Sequence, residues 1–564
     1  MPSAVAYLRD RLAAAGAVVT ARYALIALLH GSALVIMLKV EQDVAGLAAF
    51  VLTWGLLNFL LLLLLRRPAA AAALSLALVF ALIALSWFKH DILFMTVNFL
   101  DLMIVDLDTF SFLLTVFPWL GRGMIAAVGV TAVLVAVIWW FDPHRVRVRV
   151  ASIGCVSCLV GLTGITYSVP ADPYDEFYPV AYVSKFGRSA VTAVFEYVTR
   201  GLLESDASVA ERLGVMPDSC PAAKRPHIIM VHDESSFDFT VVPGLKVPPD
   251  YRRHFASFDG RNRSLIVEGA GGPSWFTEYN VLTGLSARSY GRFADFVTRI
   301  AAGRVERGLP RALQRCGYRT FSLYSYFGAF LNARQFQKTT GIEHFLDSTD
   351  LGAEGVDPDA FFFNKAAEVI GRERGAKPLF LLVYTLANHF PWSIRFRPDL
   401  TPGWVDPGNG LEPDEYIRRQ TMSARDYRAF VERLKREFPQ DQFLIVRFGD
   451  HQPSIARSFI DPAFDDSARA RRIADHDVRF LSSYYAIDVL NFRPVDLSSA
   501  IDTLDAPYLP LVVLEAAGVP LDPSFAEQKR ILERCRGLFY RCAGGAEARR
   551  FNRLLIDAGL IKGL

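Results

Sequence analysis

The sequence predicts an α-helical transmembrane region of five spans followed by an α/β domain with a mainly parallel sheet. Three observations carry that expectation. Five long runs without Asp, Glu, Lys or Arg crowd the first 170 residues. The hydrophobic fraction of 52% and the mean hydropathy of +0.24 are high for a wholly soluble chain of 564 residues. Beyond about residue 225, short apolar runs alternate with helix-like stretches, the pattern of a sheet covered by helices on both faces.

The charge-free runs occupy 23–38, 44–65, 68–88, 123–141 and 151–170. At about 1.5 Å per helical residue each approaches or covers the roughly 30 Å hydrocarbon layer. Four further runs after the first exclude a cleaved signal peptide. Arg66-Arg67 and "HRVRVR" at 144–149 mark cytoplasmic loops, and Arg9, Arg11 and Arg22 place the N-terminus on the same side. Five crossings then put everything after Pro170 outside, so the chain reads as a multi-pass inner-membrane protein with a periplasmic domain. Residues 92–119 are apolar but carry Asp101, Asp106 and Asp108, which suits an interfacial or re-entrant helix near the outer face. The organisation expected is a transmembrane domain over 1–170, a juxtamembrane helical connector over 171–224 and an extracytoplasmic domain over 225–564. Cys220, Cys316, Cys535 and Cys542 fall in the external part and allow two disulfides, with Cys535 and Cys542 the expected pair. The net charge of +3 gives no electrostatic case for nucleic-acid binding.

Strands are expected at 227–232, 264–268, 319–325, 379–386 and 442–448, and helices at 304–316, 359–372 and 424–437. In open α/β sheets ligands collect beyond the carboxyl ends of the strands. "HIIMVH" runs into "DESSFDF", "SLIVE" into "GAGGPSWFTEYNVLTG", "FLLVYTL" into "ANHFPW", and "FLIVRF" into "GDHQPS". Glu234, Asp450 and His451 thus supply two carboxylates and an imidazole, a set suited to Mn²⁺ or Zn²⁺. The remaining ligand should be the group that reacts. Ser274 follows three glycines and a proline at a helix start, where amides and dipole favour an anion, and a metal-bound hydroxyl there would become a nucleophile. A plain N-cap is the other reading of Ser274. Asp233 and His232 flank Glu234 and could ligate instead, although strand alternation points neighbours to opposite faces. Thr277 competes with Ser274 for the nucleophile's place. His344 and His476 read as surface or structural histidines, Asp238 and Asp347 as turn or capping residues, and Glu278 as a helix-face residue that supports the loop.

From about 226 to 517 the chain resembles the lipoteichoic acid synthase and phosphoglycerol transferase group of the alkaline phosphatase and sulfatase superfamily. The matching pieces are "HIIMVHDESSFDF", "GGPSWFTEYNVLTG", "FGAFLNARQFQKTTGIEHFLD", "TLANHFPW" and "FGDHQPS". The resemblance implies that Glu234, Asp450 and His451 bind one divalent ion, usually Mn²⁺ in this group, with Zn²⁺ or Mg²⁺ as alternatives. It selects Glu234 over its neighbours, makes Ser274 both nucleophile and ligand, and sets His389 and Arg334 on the substrate phosphate. Ser274 stands where the group has Thr, Asn332 where the headgroup pocket has an aromatic residue, and Phe327 where an acid is expected. "SWFTE" lacks the C/S-x-P-x-R motif of formylglycine sulfatases. The activity so implied is a metal-dependent membrane transferase. It would move sn-glycerol phosphate from phosphatidylglycerol to an extracytoplasmic glycan or glycolipid through a phospho-serine intermediate. The alternatives are a phosphoethanolamine transferase, a phosphodiesterase or sulfatase-type hydrolase, and a non-enzymatic membrane sensor on the same fold.

Overall fold

The computed structural model describes residues 23–563 apart from 94, 105–109, 111–112, 116, 143, 170–177, 216–219, 222–223 and 376. It divides into two compact units, Met1–Thr199 and Arg200–Leu564.

The first unit contains five helices long and apolar enough to cross a bilayer: α1 (Tyr23–Val40), α2 (Val44–Leu65), α3 (Pro68–Leu93), α4 (Pro118–Phe141) and α5 (Val148–Ser168). The protein is a multi-pass membrane protein. Small residues let α5 approach α2 closely: a Cβ at Gly154 would lie 2.5 Å from the Phe59 ring, and one at Gly161 2.9 Å from Leu52. The basic turn between α2 and α3 is built rather than loose. Arg66 takes a left-handed conformation (φ 57°), Pro68 opens α3, and the Asp142 carboxylate accepts from the amides of Ala69 (2.7 Å) and Ala70 (3.3 Å). Of the segment expected at the interface, a short helix at Asp101–Ile104 is paired with Lys89 (2.8 Å), while 105–109 lie outside the described residues. An amphipathic helix, α6 (Tyr182–Arg200), closes this unit and exposes Val194, Phe195, Tyr197 and Val198.

The second unit is built on an eight-stranded mixed sheet. Its strands are β1 (His227–Asp233), β2 (Arg263–Ile266), β3 (Arg319–Leu323), β4 (His344–Leu346), β5 (Leu379–Tyr384), β6 (Phe443–Gly449), β7 (Ser482–Leu490) and β8 (Thr503–Asp505). They lie in the order β4-β3-β5-β1-β6-β7-β2-β8, and β7 alone pairs antiparallel with its neighbours. The middle strands β5, β1 and β6 are buried throughout, which is why they read as continuous apolar runs. Helices α8 (Asp359–Glu373) and α9 (Leu411–Glu437) contribute Phe362, Phe363, Ile370, Phe430 and Leu434 to a core with Ile229, Val231, Leu381 and Ile445. A second cluster gathers around Phe239, Phe255, Tyr416 and Tyr484 on the same face of the sheet.

Three strands lie beyond those expected from the sequence. β4 and β8 are three residues each, too short to leave a periodic signal, and β7 ("SSYYAIDVL") mixes hydroxyls and an acid into an antiparallel strand. Helix α9 starts well before residue 424, because its first turns are polar yet buried through ion pairs of Glu415 with Arg418 and Arg419 (2.7 Å each). Disulfides join Cys220 to Cys316 and Cys535 to Cys542, while Cys155 and Cys158 are free.

Candidate active site

β1 and β6 pair in parallel register from His227 opposite Phe443 to Asp233 opposite Gly449. Their carboxyl ends therefore stop together, and Glu234 and Asp450 follow side by side. Gly449 is required at this stop: a Cβ there would meet the Ser236 carbonyl at 2.3 Å and the Ser483 hydroxyl at 2.2 Å. Immediately after Glu234 the backbone turns through Ser235, a non-glycine residue at φ 51°, whose amide donates to the Asp450 carboxylate (2.7 Å) and whose hydroxyl donates to Glu234 (2.9 Å). A left-handed non-glycine residue beside two buried acids is strain of the kind that surrounding structure must hold in place.

Ser274 is the first residue of α7 (Ser274–Thr283). Its hydroxyl lies 3.2 Å from a Glu234 carboxylate oxygen and 3.3 Å from His451 Nε2. The His451 Nδ1–H donates to the Gln452 carbonyl (2.9 Å), which leaves Nε2 as the lone-pair nitrogen facing the cluster. That nitrogen is 3.3 Å from Asp450 and 3.6 Å from Glu234. The structure thus brings together Ser274, Glu234, Asp450 and His451. It also brings in His232. Alternation sends Asp233 to the far face of the sheet but keeps His232, two residues from Glu234, on the near one. His232, Glu234 and Asp450 each offer a donor atom within 4.8 Å of the others, and His232 Nε2 sits 3.3 Å from Asp450.

A divalent cation fits this donor set. Asp450 and Glu234 are 0% and 2% exposed, and one Asp450 oxygen and both His232 nitrogens are buried without a hydrogen-bond partner. Burial and then the facing Asp450 carboxylate push Glu234 well above the ordinary carboxylate range. Burial works in the same direction on Asp450, but the His451 and His232 imidazoles outweigh it and hold its carboxyl low. Two acids so close in a dry site lack a counter-charge, which a bound cation supplies.

Other residues frame the cluster. Thr277 is fully buried and its hydroxyl donates to the Asp450 carbonyl (2.6 Å), so it braces the end of β6. Glu278, one turn after Ser274, accepts from Gln337 (2.9 Å), and burial raises its carboxyl to about 7. His389 donates Nδ1–H to the Phe390 carbonyl (2.7 Å), and burial pushes it down to about 4, so it is neutral at pH 7. Among the described residues, Arg334 and Asn332 make no hydrogen bond to the cluster. Arg334 pairs with Asp347 (2.6 Å) and Asp350 (2.9 Å), and Asn332 enters the Ala333–Thr340 helix in a left-handed conformation (φ 58°). Asp238 and Asp347 cap short helices. His344 is exposed and stacks on Phe321. The part of His232 was legible in the two-residue spacing of "HDE", which puts an imidazole and a carboxylate on one face.

Residues 274–479 match the sequence family described as Sulfatase. The second unit therefore carries a sulfatase-like stretch. Among solved structures it is similar to the Streptococcus pyogenes phosphoglycerol transferase GacH in complex with sn-glycerol-1-phosphate (15% identity, 61% of this chain and 86% of that one, TM-score 0.45). It is also similar to the lipoteichoic acid synthase LtaP from Listeria monocytogenes (16% identity, 58% and 78%, TM-score 0.38). A further similar structure is the integral membrane lipooligosaccharide phosphoethanolamine transferase A (EptA) from Neisseria meningitidis (12% identity, 83% and 95%, TM-score 0.47). No curated protein matches the chain. The family match begins at Ser274, which opens α7, and spans Asp450 and His451, while His232 and Glu234 precede it.

Proposed function

We propose that this protein is a membrane-anchored, metal-dependent transferase of the sulfatase-like kind that removes sn-glycerol phosphate from phosphatidylglycerol and passes it to an extracytoplasmic glycan or glycolipid. The observation that carries the reading is the Ser274 hydroxyl at a helix start, within 3.3 Å of both Glu234 and His451. Five apolar helices suit a lipid donor, and the sequence likeness over 226–517 supports the glycerol phosphate headgroup.

Glu234, Asp450, His451 and the Ser274 oxygen would hold one divalent ion, Mn²⁺ by the family likeness. When bound, the ion acidifies the hydroxyl and offsets phosphate charge. Ser274 gives its hydroxyl proton to solvent and its Oγ attacks phosphorus, the bond to the diacylglycerol oxygen breaks, and that oxygen leaves with the electron pair and gains a proton from solvent. The α7 amides and dipole face the phosphoryl group. An acceptor hydroxyl then attacks the phospho-serine, losing its proton, and Ser274 Oγ leaves. His389, neutral at pH 7 with Nδ1–H engaged, offers its Nε2 as the base for that proton. Arg334, its side chain 38% exposed and held by Asp347 and Asp350, would meet the substrate phosphate, and Asn332 would border the headgroup, both by the family likeness.

The test uses purified full-length protein in mixed vesicles of phosphatidylglycerol and phosphatidylethanolamine with Mn²⁺. Diacylglycerol should appear from phosphatidylglycerol, and peptide mass spectrometry of quenched protein should find glycerol phosphate on Ser274. Ser274→Ala should abolish both, and Ser274→Thr should retain measurable turnover. Loss of phosphatidylethanolamine in place of phosphatidylglycerol would move the headgroup to phosphoethanolamine. Loss of neither lipid would remove the transferase reading.

A further inference from the structure

The loop that delivers Ser274, Gly269-Ala270-Gly271-Gly272-Pro273, folds tightly on itself. The Ser274 amide donates to the Gly272 carbonyl (2.9 Å), and a Cβ at Gly269 would lie 2.9 Å from the Pro273 carbonyl. Gly271 is left-handed (φ 63°). No helix or strand contains this loop, so something outside it must fix its shape.

That outside group is Arg457, which lies in α10 (Ala456–Ile460), just past the Asp450-His451 pair. Arg457 is only 5% exposed. Its guanidinium donates to the Ala270 carbonyl and packs against Gly271, where an added Cβ would meet Nη2 at 2.4 Å, Cζ at 3.0 Å and Nε at 3.3 Å. The side chain thus fills the space that the missing Gly271 side chain leaves. Only glycine satisfies both the backbone angle and the contact.

We propose that Arg457 is a positioning residue for Ser274: by clamping Ala270 and Gly271 it fixes the loop that aims the serine hydroxyl at Glu234 and His451. This role rests on Ser274 being the nucleophile. It ties the two chain segments of the site together, because the residue that shapes the serine loop comes from the segment that carries Asp450 and His451. A planar guanidinium is suited to the place, since it can pack against a peptide while donating in its own plane, and a lysine ammonium does only the second.

The experiment compares wild type, Arg457→Lys and Arg457→Gln as full-length protein in phosphatidylglycerol vesicles with Mn²⁺. Three readouts are taken: the rate of adduct formation on Ser274 with kcat and KM, bound metal, and backbone hydrogen exchange of the peptide containing 269–276. A misplacement of about 1 Å costs about 100-fold in rate. Arg457→Gln should therefore slow adduct formation about 100-fold with KM and bound metal little changed, Arg457→Lys should fall between, and exchange should rise in the 269–276 peptide while the β1 and β6 peptides stay protected. Unchanged exchange and rate would overturn the proposal. So would exchange that rises across the whole second unit in both variants, which would make Arg457 a general packing residue. If wild type transfers nothing, the transferase reading fails, while a local rise in exchange still establishes the clamp and its absence still refutes it.

Discussion

Asp233 and Glu234 are adjacent acids at the end of the same buried strand, yet they live in opposite electrostatic worlds. Asp233 faces the side of the sheet where every oxygen is met: His254 Nε2 lies at 2.9 Å, the Tyr484 hydroxyl donates to it, Thr385 stands at 3.3 Å, and Arg447 adds its charge. Burial works to raise its carboxyl, but the His254 bond and charge, with Tyr484 and Arg447, hold it below the ordinary range. Glu234 faces a second carboxylate and is pushed the other way. The difference teaches that burial alone does not mark a functional acid. A satisfied buried acid stabilises the fold; an acid placed against another acid stores a deficit that a cation can relieve.

The largest effect should come from breaking the deficit side. Asp450→Ala and His451→Ala each remove a proposed ligand while leaving the core of β6 untouched. Both should lose bound Mn²⁺ and nearly all turnover, a fall of at least about a hundredfold given what ligand-shell changes cost. Near-ultraviolet circular dichroism should remain that of the folded protein. Metal content and diacylglycerol release measured on one preparation check this, and wild-type turnover after exhaustive chelation would count against the metal.

A middle-sized effect, with opposite signs on the two faces, sharpens the comparison further. Asp233→Ala strands His254 and Tyr484 without their shared acceptor and should cost about 3–5 kcal/mol. Glu234→Gln in metal-free protein removes one of two facing carboxylates and should leave the melting temperature unchanged or higher, while abolishing the gain that added Mn²⁺ gives to wild type. The pH dependences also oppose. A depressed folded-state pKa, as for Asp233, contributes stability that is present above the unfolded value near 3.9 and is lost as pH falls. A raised one, as for Glu234, costs the metal-free fold stability as pH climbs from about 4.3 upward. Thermal melts from pH 3 to 8 with and without chelator should show Asp233→Ala blunting the acid limb and Glu234→Gln flattening the upper one.

Much of this architecture was legible in the sequence because buried parallel strands write themselves as unbroken apolar runs, as in "HIIMVH" and "FLIVRF", and because their abrupt polar endings mark the edge where a site forms. The charge-free runs of the first unit were equally plain. The short strands β4 and β8 left no such mark, and β7 was masked by its serines, tyrosines and Asp488, which serve the polar network around Arg447 (3.0 Å to Asp488). At the site, Glu234, Ser274, Asp450 and His451 were readable by position. Arg457 was not, because its partner is a backbone carbonyl 187 residues away in sequence, and backbone acceptors carry no residue-type signal. The engagement of Arg334 by Asp347 and Asp350 was hidden for a related reason: which acid meets which arginine across a turn depends on tertiary geometry.

The smallest effect concerns Thr277, and it tests whether the deficit side has been drawn around the right hydroxyl. Thr277 lies three residues beyond Ser274 on α7, so most of a turn separates them and both hydroxyls cannot face the helix start. The Thr277 hydroxyl is already committed, donating to the Asp450 carbonyl at 2.6 Å from a site with no solvent exposure. Thr277→Val keeps the volume and removes only that bond, so it isolates the brace. Losing one buried hydrogen bond while leaving a backbone carbonyl unpaired should cost about 1–2 kcal/mol. Because Asp450 also receives the Ser235 and His451 amides, at 2.7 and 2.8 Å, its carboxylate should stay in place. Turnover should fall only a fewfold, and the glycerol phosphate adduct should remain on Ser274. Abolition of the adduct in Thr277→Val, in protein that melts within a few degrees of wild type, would transfer the nucleophile's role to Thr277.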